Sequence, residues 1–359
     1  MNLNDKTAEK VRQISKKLKK ILQAATISSN YELMMEAIET FAFIHCSWNQ
    51  IYTDLEIENS LKIVRDNITV TPFITKDRQE KTIIFHNGFG VDAWDGLMYI
   101  YVKALLSMGY QVVHVSSMDS QNRQPQFKEL VKNKNVIFEY YCMNGANRIT
   151  QAKDISRIIN QYKPAMAFLY ITPWDTASVL AYSWYEKIIK RYLINSTDHT
   201  FWIGHNAFDM CIEFRNYGAY VSAKHRHIDY NKLAILPFYP VNNHNMVFEG
   251  FPFKTDNYKI VFSGGAPYKV YDRNNSFFKL VLSMLEKHDD VIFVYAPKSE
   301  QLNCQEIKRK FPKRFFLLEK RHDLPKLLEH VYLYLSTYPI GGGLMTQYAV
   351  LAGKYPLAV

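Results

Sequence analysis

Ser336-Thr-Tyr-Pro-Ile-Gly-Gly-Gly-Leu-Met-Thr-Gln-Tyr-Ala-Val-Leu-Ala-Gly353 reads as a strand that runs into three glycines and then into a helix. Glycines let a backbone approach a ligand closely, and the first turn of a helix offers unpaired N–H groups to an anion. A diphosphate suits such a turn, with Thr346 adding a hydroxyl donor. The plain alternative is a tight strand–helix turn with no ligand, although Gly341, Gly342 and Gly343 together exceed what a turn requires. The stretch is not a P-loop, because no Gly-Lys-Ser/Thr follows, and it is not a GxGxxG.

Around this turn, short β-branched and aromatic runs alternate with helix-like stretches. Strands are expected at Lys259–Ser263, Val291–Ala296, Arg314–Glu319, Tyr332–Ser336 and Tyr355–Val359. Helices are expected at Asn275–Lys287, Glu300–Lys310, Asp323–Val331 and Leu344–Ala352. Phe278, Val281, Leu282 and Leu285 give the first of these helices a buried face. Asp323 reads as an N-cap with Pro325 in the first turn, and Gly353 as a C-terminal stop. The same rhythm occupies an earlier stretch, with strands at Thr82–His86, Gln111–Ser116, Asn135–Tyr141 and Ala165–Ile171. Trp94–Met108, Gln124–Lys132 and Thr150–Tyr162 are the helices between them. Strands alternating with helices predict βαβ units and parallel sheets. Leu236-Pro-Phe-Tyr-Pro240 closes that half, Val241–Asp256 reads as a linker, and residues 1–65 read as helical throughout.

The expected fold is therefore α/β: two doubly wound Rossmann-like domains facing a cleft at the carboxyl ends of their strands. The expected divisions are a helical N-terminal extension over 1–75, one Rossmann-like domain over 76–242 and another over 243–359. Val359 closes an expected strand with no helix after it, so the chain reads as lacking a C-terminal region.

Composition narrows the class. The 359 residues are 48% hydrophobic and 22% charged, which excludes intrinsic disorder and collagen-like repeats. No apolar run approaches the ~18 residues needed to span a bilayer. Met1–Lys6 is polar and does not read as a signal peptide. Cys46, Cys142, Cys211 and Cys304 form no CxxC pair, which argues against a disulfide framework or a zinc knuckle and fits a reducing cytosol. The net charge is +10, and in residues 1–24 seven basic residues face only Asp5 and Glu9. Val11, Ile14, Leu18 and Ile21 recur among these charges at helical spacing. Such a basic amphipathic helix either packs one stripe on the domain or touches anionic lipid at an inner membrane face, at about 1 kcal/mol per basic residue. No helix-turn-helix, RNP motif or dense basic–aromatic stripe is present, so nucleic acid is not an expected partner.

Further loops carry candidate chemistry. Phe262-Ser-Gly-Gly-Ala-Pro-Tyr-Lys-Val270 places Gly264 and Gly265 after the first strand of the C-terminal half, with Lys269 able to neutralise a phosphate. Glu319-Lys-Arg-His-Asp-Leu324 offers Arg321 and His322 to a nucleotide base. Phe85-His-Asn-Gly-Phe-Gly90 follows the first strand of the N-terminal half. Ser196-Thr-Asp-His-Thr-Phe-Trp-Ile-Gly204, Asp209 and Glu213-Phe-Arg215 set polar residues between aromatics, as in a cleft wall. His199 beside Asp198 is a candidate general base, and His86 a second; either could equally be a structural histidine. His225 and His227 form an HxH with no evident third ligand, so no metal is expected there. No Asp-x-Asp occurs, so a diphosphate would be held by amides and basic side chains rather than through a cation.

Tyr338-Pro-Ile-Gly-Gly-Gly-Leu-Met-Thr-Gln-Tyr-Ala-Val-Leu-Ala-Gly353 resembles the donor loop and helix of O-GlcNAc-transferase-like GT-B glycosyltransferases. Thr197–Gly204, Glu213-Phe-Arg215, Tyr217-Gly218 and Leu236–Pro240 are similar to bacterial glycosyltransferases of surface-polysaccharide pathways. The resemblance covers about residues 80–359. It implies a GT-B fold and a nucleoside-diphosphate sugar donor, UDP-linked, with no further cofactor and no metal. Gly341, Gly342, Gly343, Leu344, Met345 and Thr346 would hold the diphosphate, with Gly264, Gly265 and Lys269 approaching from the neighbouring loop. Arg321 and His322 would lie near the base. A glycan, lipid-linked or protein acceptor would enter near His86, Asn87 and Gly88, with His199 and Asp198 as the catalytic pair. Ile340 and Tyr348 stand where retaining relatives carry two glutamates, which points to inversion. A sugar-nucleotide epimerase of the same fold and a non-catalytic two-lobed binding protein are the alternative readings.

Overall fold

The computed structural model describes residues 3–48, 50–89, 97–117, 129–141, 147–205, 207–240, 246–297, 304–319, 321 and 323–358. The chain divides into two units, Met1–Phe238 and Tyr239–Val359.

The first unit opens with helices α1 (Leu3–Ile27), α2 (Tyr31–Ser47) and α3 (Leu55–Asn67). Asn30 and Asp54 start the second and third by accepting bonds from first-turn N–H groups, Leu33 at 3.1 Å and Glu56 at 3.1 Å. Leu22, Met34, Ile38, Phe41, Ile57 and Val64 join one core with Ile84, Val113 and Ala167 of the sheet below. The stripe that α1 buries runs through Val11, Leu22 and Ala25, with Leu18 packed beside it. Ile14 and Ile21, expected on that stripe, are instead 43% and 41% exposed. Lys19 bonds Asp54 at 2.6 Å and Glu56 at 3.1 Å, which fixes the face that α1 turns inward.

Seven parallel strands follow: β1 (Gln79–Asn87), β2 (Gln111–Ser116), β3 (Val136–Tyr140), β4 (Pro164–Tyr170), β5 (Lys190–Asn195), β6 (Met210–Glu213) and β7 (Leu233–Ile235). Their order is β3-β2-β1-β4-β5-β6-β7. Helices α4 (Leu97–Ser107), α5 (Arg148–Tyr162), α6 (Thr176–Ser183) and α7 (Asn216–His225) accompany them. Strand order reverses between β1 and β4, the place where open α/β sheets leave a crevice at their carboxyl ends. The first four strands lie close to their expected positions, whereas β5–β7, α6 and α7 have no counterpart among the expected elements. Most of the helix expected at Gln124–Lys132 lies outside the described residues.

The second unit holds β8 (Lys259–Gly265), β9 (Val291–Pro297), β10 (Phe315–Leu317), β11 (Leu333–Leu335) and β12 (Pro356–Leu357), parallel and in the order β10-β9-β8-β11-β12. Its helices are α8 (Ser276–Lys287), α9 (Gln305–Lys310), α10 (Leu324–Glu329) and α11 (Gly343–Leu351). Alternation along the strands feeds two cores. Val261, Phe293 and Tyr295 pack with Phe277, Val281 and Leu285 of α8. Ile260, Phe262, Ile292 and Val294 pack with Leu327, Leu328 and Ala349. Burial on both faces explains the unbroken apolar run of β9. The described part of the expected linker, residues 246–256, packs more than its composition suggests. Phe251 stacks on Phe253 at 5.2 Å and Phe253 on Phe316 at 4.1 Å, so these rings dock the segment on the second unit.

Candidate functional site

The carboxyl end of β8 carries Gly264 and Gly265, and a 3-10 turn over Pro267–Lys269 follows. A Cβ on Gly264 would stand 3.3 Å from the Ala296 carbonyl, a tight fit against the neighbouring strand. After β11, Thr337 Oγ1 donates to the Ile340 carbonyl at 2.6 Å and closes the turn before the three glycines. The Ile340 N–H donates to the Lys269 carbonyl at 3.2 Å and ties the two glycine loops together. A Cβ on Gly342 would lie 3.8 Å from the Gly264 carbonyl and 3.1 Å from the Tyr334 hydroxyl. The two segments singled out in the sequence therefore meet.

Helix α11 begins at Gly343 with Gly342 as N-cap, a residue with no side chain to cap the first turn. Its first helical bond runs from Thr346 N to Gly342 O at 2.9 Å. The N–H groups of Gly343, Leu344 and Met345 are left without a helical acceptor. The hydroxyl of Thr346, expected to donate to a diphosphate, donates here to Gly342 O at 3.1 Å, inside the helix. The aliphatic stem of Lys269 lies against Gly265, its Cδ 3.4 Å from where a Cβ would stand. Burial pushes the Lys269 ammonium below its ordinary pKa, and among the described residues no carboxylate pairs with it.

Arg321, expected beside a nucleotide base, is committed elsewhere. Its guanidinium grips both oxygens of Asp323, donates to Gly250 O at 2.5 Å and lies over the Phe248 ring. Asp323 also accepts Glu249 N–H at 2.8 Å, so this carboxylate anchors the 248–250 segment and does not bond the first turn of α10 as expected. His322 lies outside the described residues.

In the first unit His86 is wholly buried. Its Nδ1 is 3.1 Å from Tyr182 Oη, and its Nε2 is 3.3 Å from Ser178 Oγ and 3.4 Å from Tyr141 Oη. Burial lowers its pKa to about 3, so the ring is neutral. An acceptor cannot touch it, which corrects its expected catalytic role. Ser178 Oγ continues the chain to Asp175 Oδ2 at 2.7 Å, and burial raises the Asp175 pKa. A Cβ on Gly88 would stand 3.1 Å from that carboxylate, so Gly88 lets β1 and the loop after β4 converge. Asn87 Oδ1 accepts the Phe89 N–H at 3.3 Å.

His199 and Asp198 do form a pair, with Nδ1 3.2 Å from Oδ1. The imidazole is 60% exposed while Asp198 is buried. Burial pushes the Asp198 carboxyl up, but the two Arg215 bonds at 2.6 and 2.8 Å and the His199 contact outweigh it and hold it well below the usual carboxylate range. Behind the pair lies a buried polar core, and it includes Glu213, which the sequence placed in a cleft wall. Glu213 is fully buried and accepts Asn195 Nδ2 at 3.0 and 3.1 Å. Arg226, 2% exposed, donates to the carbonyls of Asp198 at 2.8 Å and Thr200 at 2.6 Å, between the rings of Tyr52 and Trp202. In sequence Arg226 belongs to a Lys-His-Arg-His run that looks solvated; the only local hint is its helix-turn spacing from Ser222, to which it donates at 3.1 Å. His225 of the HxH stacks on Tyr52 at 5.2 Å.

No family model matches the chain, and no curated protein matches it. Solved structures do. A glycosyltransferase from Rickettsia africae is 16% identical, with 78% of this chain and 79% of that one covered at a TM-score of 0.58. An O-GlcNAc transferase from Thermobaculum terrenum is 12% identical over 96% of this chain and 66% of its own, at 0.54. A UDP-N-acetylglucosamine 2-epimerase is 12% identical over 79% of each, at 0.52. Together with two all-parallel sheets flanked by helices, these likenesses show that the chain has a GT-B glycosyltransferase-like fold built from two Rossmann-like units.

Proposed function

We propose that the chain is a glycosyltransferase that moves a hexosyl or N-acetylhexosaminyl group from a nucleoside-diphosphate sugar, UDP-linked, to a glycan, lipid-linked or protein acceptor. The observation that carries this reading is the half-buried Lys269 ammonium, without a carboxylate partner among the described residues. It stands on the glycine loop that Ile340 ties to the open N-terminus of α11. A cation and free N–H groups on adjoining loops suit a departing diphosphate, and removing one donor of this type costs ~2.7–4 kcal/mol elsewhere. No metal is invoked, since no Asp-x-Asp exists to present one. In the reaction the acceptor oxygen bonds to the anomeric carbon as the bond to the diphosphate breaks, with inversion. We assign His199, oriented by Asp198, to take the acceptor proton.

Thermal unfolding with UDP, and with GDP, CMP and ADP as controls, tests the donor site. A ligand at 100 times its Kd stabilises the native state by ~2.7 kcal/mol. Selective stabilisation by UDP supports the reading, and no shift with any of the four overturns it. The fold likeness to a 2-epimerase favours a second reading, sugar-nucleotide epimerisation. Incubation with UDP-N-acetylglucosamine separates the two: an epimer formed without acceptor favours epimerisation, and UDP release only with acceptor favours transfer. We extend the proposal to a cytoplasmic protein touching anionic lipid through residues 1–24, because Ile14 and Ile21 stand exposed among lysines. No helix among the described residues is long and apolar enough to cross a membrane. Sedimentation with phosphatidylserine but not phosphatidylcholine vesicles is the expected result.

A further inference from the structure

A cavity of about 350 Å3 opens in the first unit between α2, the start of α5 and the loop after β4. It is lined by Glu36, Glu39, Thr40, Phe43, Arg148 and Trp174. The four α2 residues are spaced i, i+3, i+4 and i+7, so one helix face forms a wall. The opposite face, through Met34, Met35, Ile38 and Phe41, is buried in the core. Phe43 is thus an aromatic that the core does not use; it is 51% exposed and meets the Trp174 indole edge-on, with centroids 5.1 Å apart. Arg148 grips both oxygens of Glu39, and Thr176 Oγ1 reaches the same carboxylate at 3.4 Å. The Arg148–Glu39 pair and the Phe43–Trp174 rings are therefore set against each other before anything enters the space. Trp174 belongs to the loop after β4, at the strand-order reversal of this sheet.

The lining selects a class of ligand. Two carboxylates disfavour a phosphate, and a single charged guanidinium already paired with Glu39 does not reverse that. Glu39 is already held by Arg148, but Glu36 and Thr40 are exposed, and an apolar side chain would strip their water and offer no polar partner in its place. A sugar ring has one face of polarised C–H bonds that suits the negative face of an indole, and hydroxyls that donate to carboxylates. The volume lies at the small end of small-molecule sites. We propose that this cavity is a carbohydrate subsite seating one ring of the acceptor on Trp174, with Glu36 and Glu39 receiving its hydroxyls. As an acceptor subsite it rests on the transfer reading above; as a carbohydrate site it does not.

Saturation-transfer NMR on the full chain tests it, with the methyl β-glycosides of glucose, galactose and N-acetylglucosamine as probes and tetramethylammonium as the cation control. The expected result is saturation of ring C–H protons in at least one glycoside. Phe43→Ala, a change at an exposed position, should weaken that glycoside's Kd several-fold, Trp174→Ala about tenfold, and Trp174→Phe should restore part of the loss. Signal from none of the three glycosides overturns the subsite. So does a signal that survives in both alanine variants, or binding of tetramethylammonium alone. UDP melting shifts on the same samples separate the two proposals. Glycoside binding without any nucleotide shift leaves a carbohydrate-binding cavity and removes the transferase. A UDP shift without glycoside binding leaves the donor site and removes this subsite.

Discussion

Replacing Lys269 with Met removes one ammonium and keeps the apolar stem that lies against Gly265. A hydrogen bond to a charged partner contributes ~1.5–3 kcal/mol, so the Kd for UDP should rise about 10- to 150-fold. The free protein should respond in the opposite sense. Burial disfavours this ammonium, and no carboxylate among the described residues compensates it, so Lys269→Met should melt at the wild-type temperature or above. The pH dependence follows from the same shift. The unfolded lysine keeps its ordinary pKa of 10.5 and the folded one lies lower, so the unfolded chain binds more protons between the two. In that interval wild-type stability rises with pH relative to the variant, while its affinity for UDP falls as the ammonium is lost. Isothermal titration of UDP into both proteins across the alkaline range, with melting curves in the same buffers, reads each effect. A folded Lys269→Met protein that binds UDP within about twofold of wild type would refute the assignment. A melting temperature several degrees lower would show that the ammonium serves the fold instead.

Three further outcomes are expected. Asp198 is held below its unfolded pKa by Arg215 and His199, so its contribution is present above about pH 4 and lost as pH falls; acid titration of Asp198→Asn should show a shallower acid limb than wild type. Glu58 accepts the N–H groups of Gly204 at 2.9 Å and His205 at 3.1 Å, yet burial raises its pKa to about 7. The folded chain then binds the extra proton between the unfolded glutamate value of about 4.3 and 7, and stability should decline across that window by up to about 1.4 kcal/mol per pH unit; a urea series at pH 5, 6, 7 and 8 measures it. A Cβ at Gly218 would stand 2.3 Å from Glu213 Oε2 and 3.0 Å from Asp198 Cβ. Because Asn195 holds that buried carboxylate, Gly218→Ala should cost about 1–3 kcal/mol in urea unfolding and lower any transfer rate through the displaced Asp198.

Legibility in the sequence followed burial. β9 is apolar along its whole length because it is covered on both faces, and runs such as Val-Ile-Phe-Val-Tyr-Ala announce a buried parallel strand. β5 begins Lys190-Arg191 and carries no such announcement. Arg191 is nonetheless buried, its guanidinium bonded to both oxygens of Asp209, at 2.8 Å from Oδ1 and 3.2 Å from Oδ2, eighteen residues on. Helix α6 was hidden for the opposite reason: every residue of Thr176–Ser183 is buried, so no polar face marks a helical period. Of the candidate site, the glycine loops were readable because glycine is rare enough in a row to demand an explanation. His86 stays ambiguous in the sequence, since a histidine at the end of a strand looks the same whether it faces a ligand or, as here, Tyr182 and Tyr141.

The sequence by itself determined the alternation of strands and helices, the two Rossmann-like halves, the glycine turn before α11 and the pairing of His199 with Asp198. Each of these is a local matter: periodicity, glycine content and neighbouring residues act over a few positions. Tertiary structure decided what distant polar groups do. It tied Lys269 to the Ile340 turn, turned Arg321 onto Asp323 and Gly250, closed His86 into the core, and set Trp174 against Phe43 around a cavity. A charged or aromatic side chain satisfies its bonding with whatever the folded chain brings near, and the identity of that partner is not encoded in its immediate neighbours.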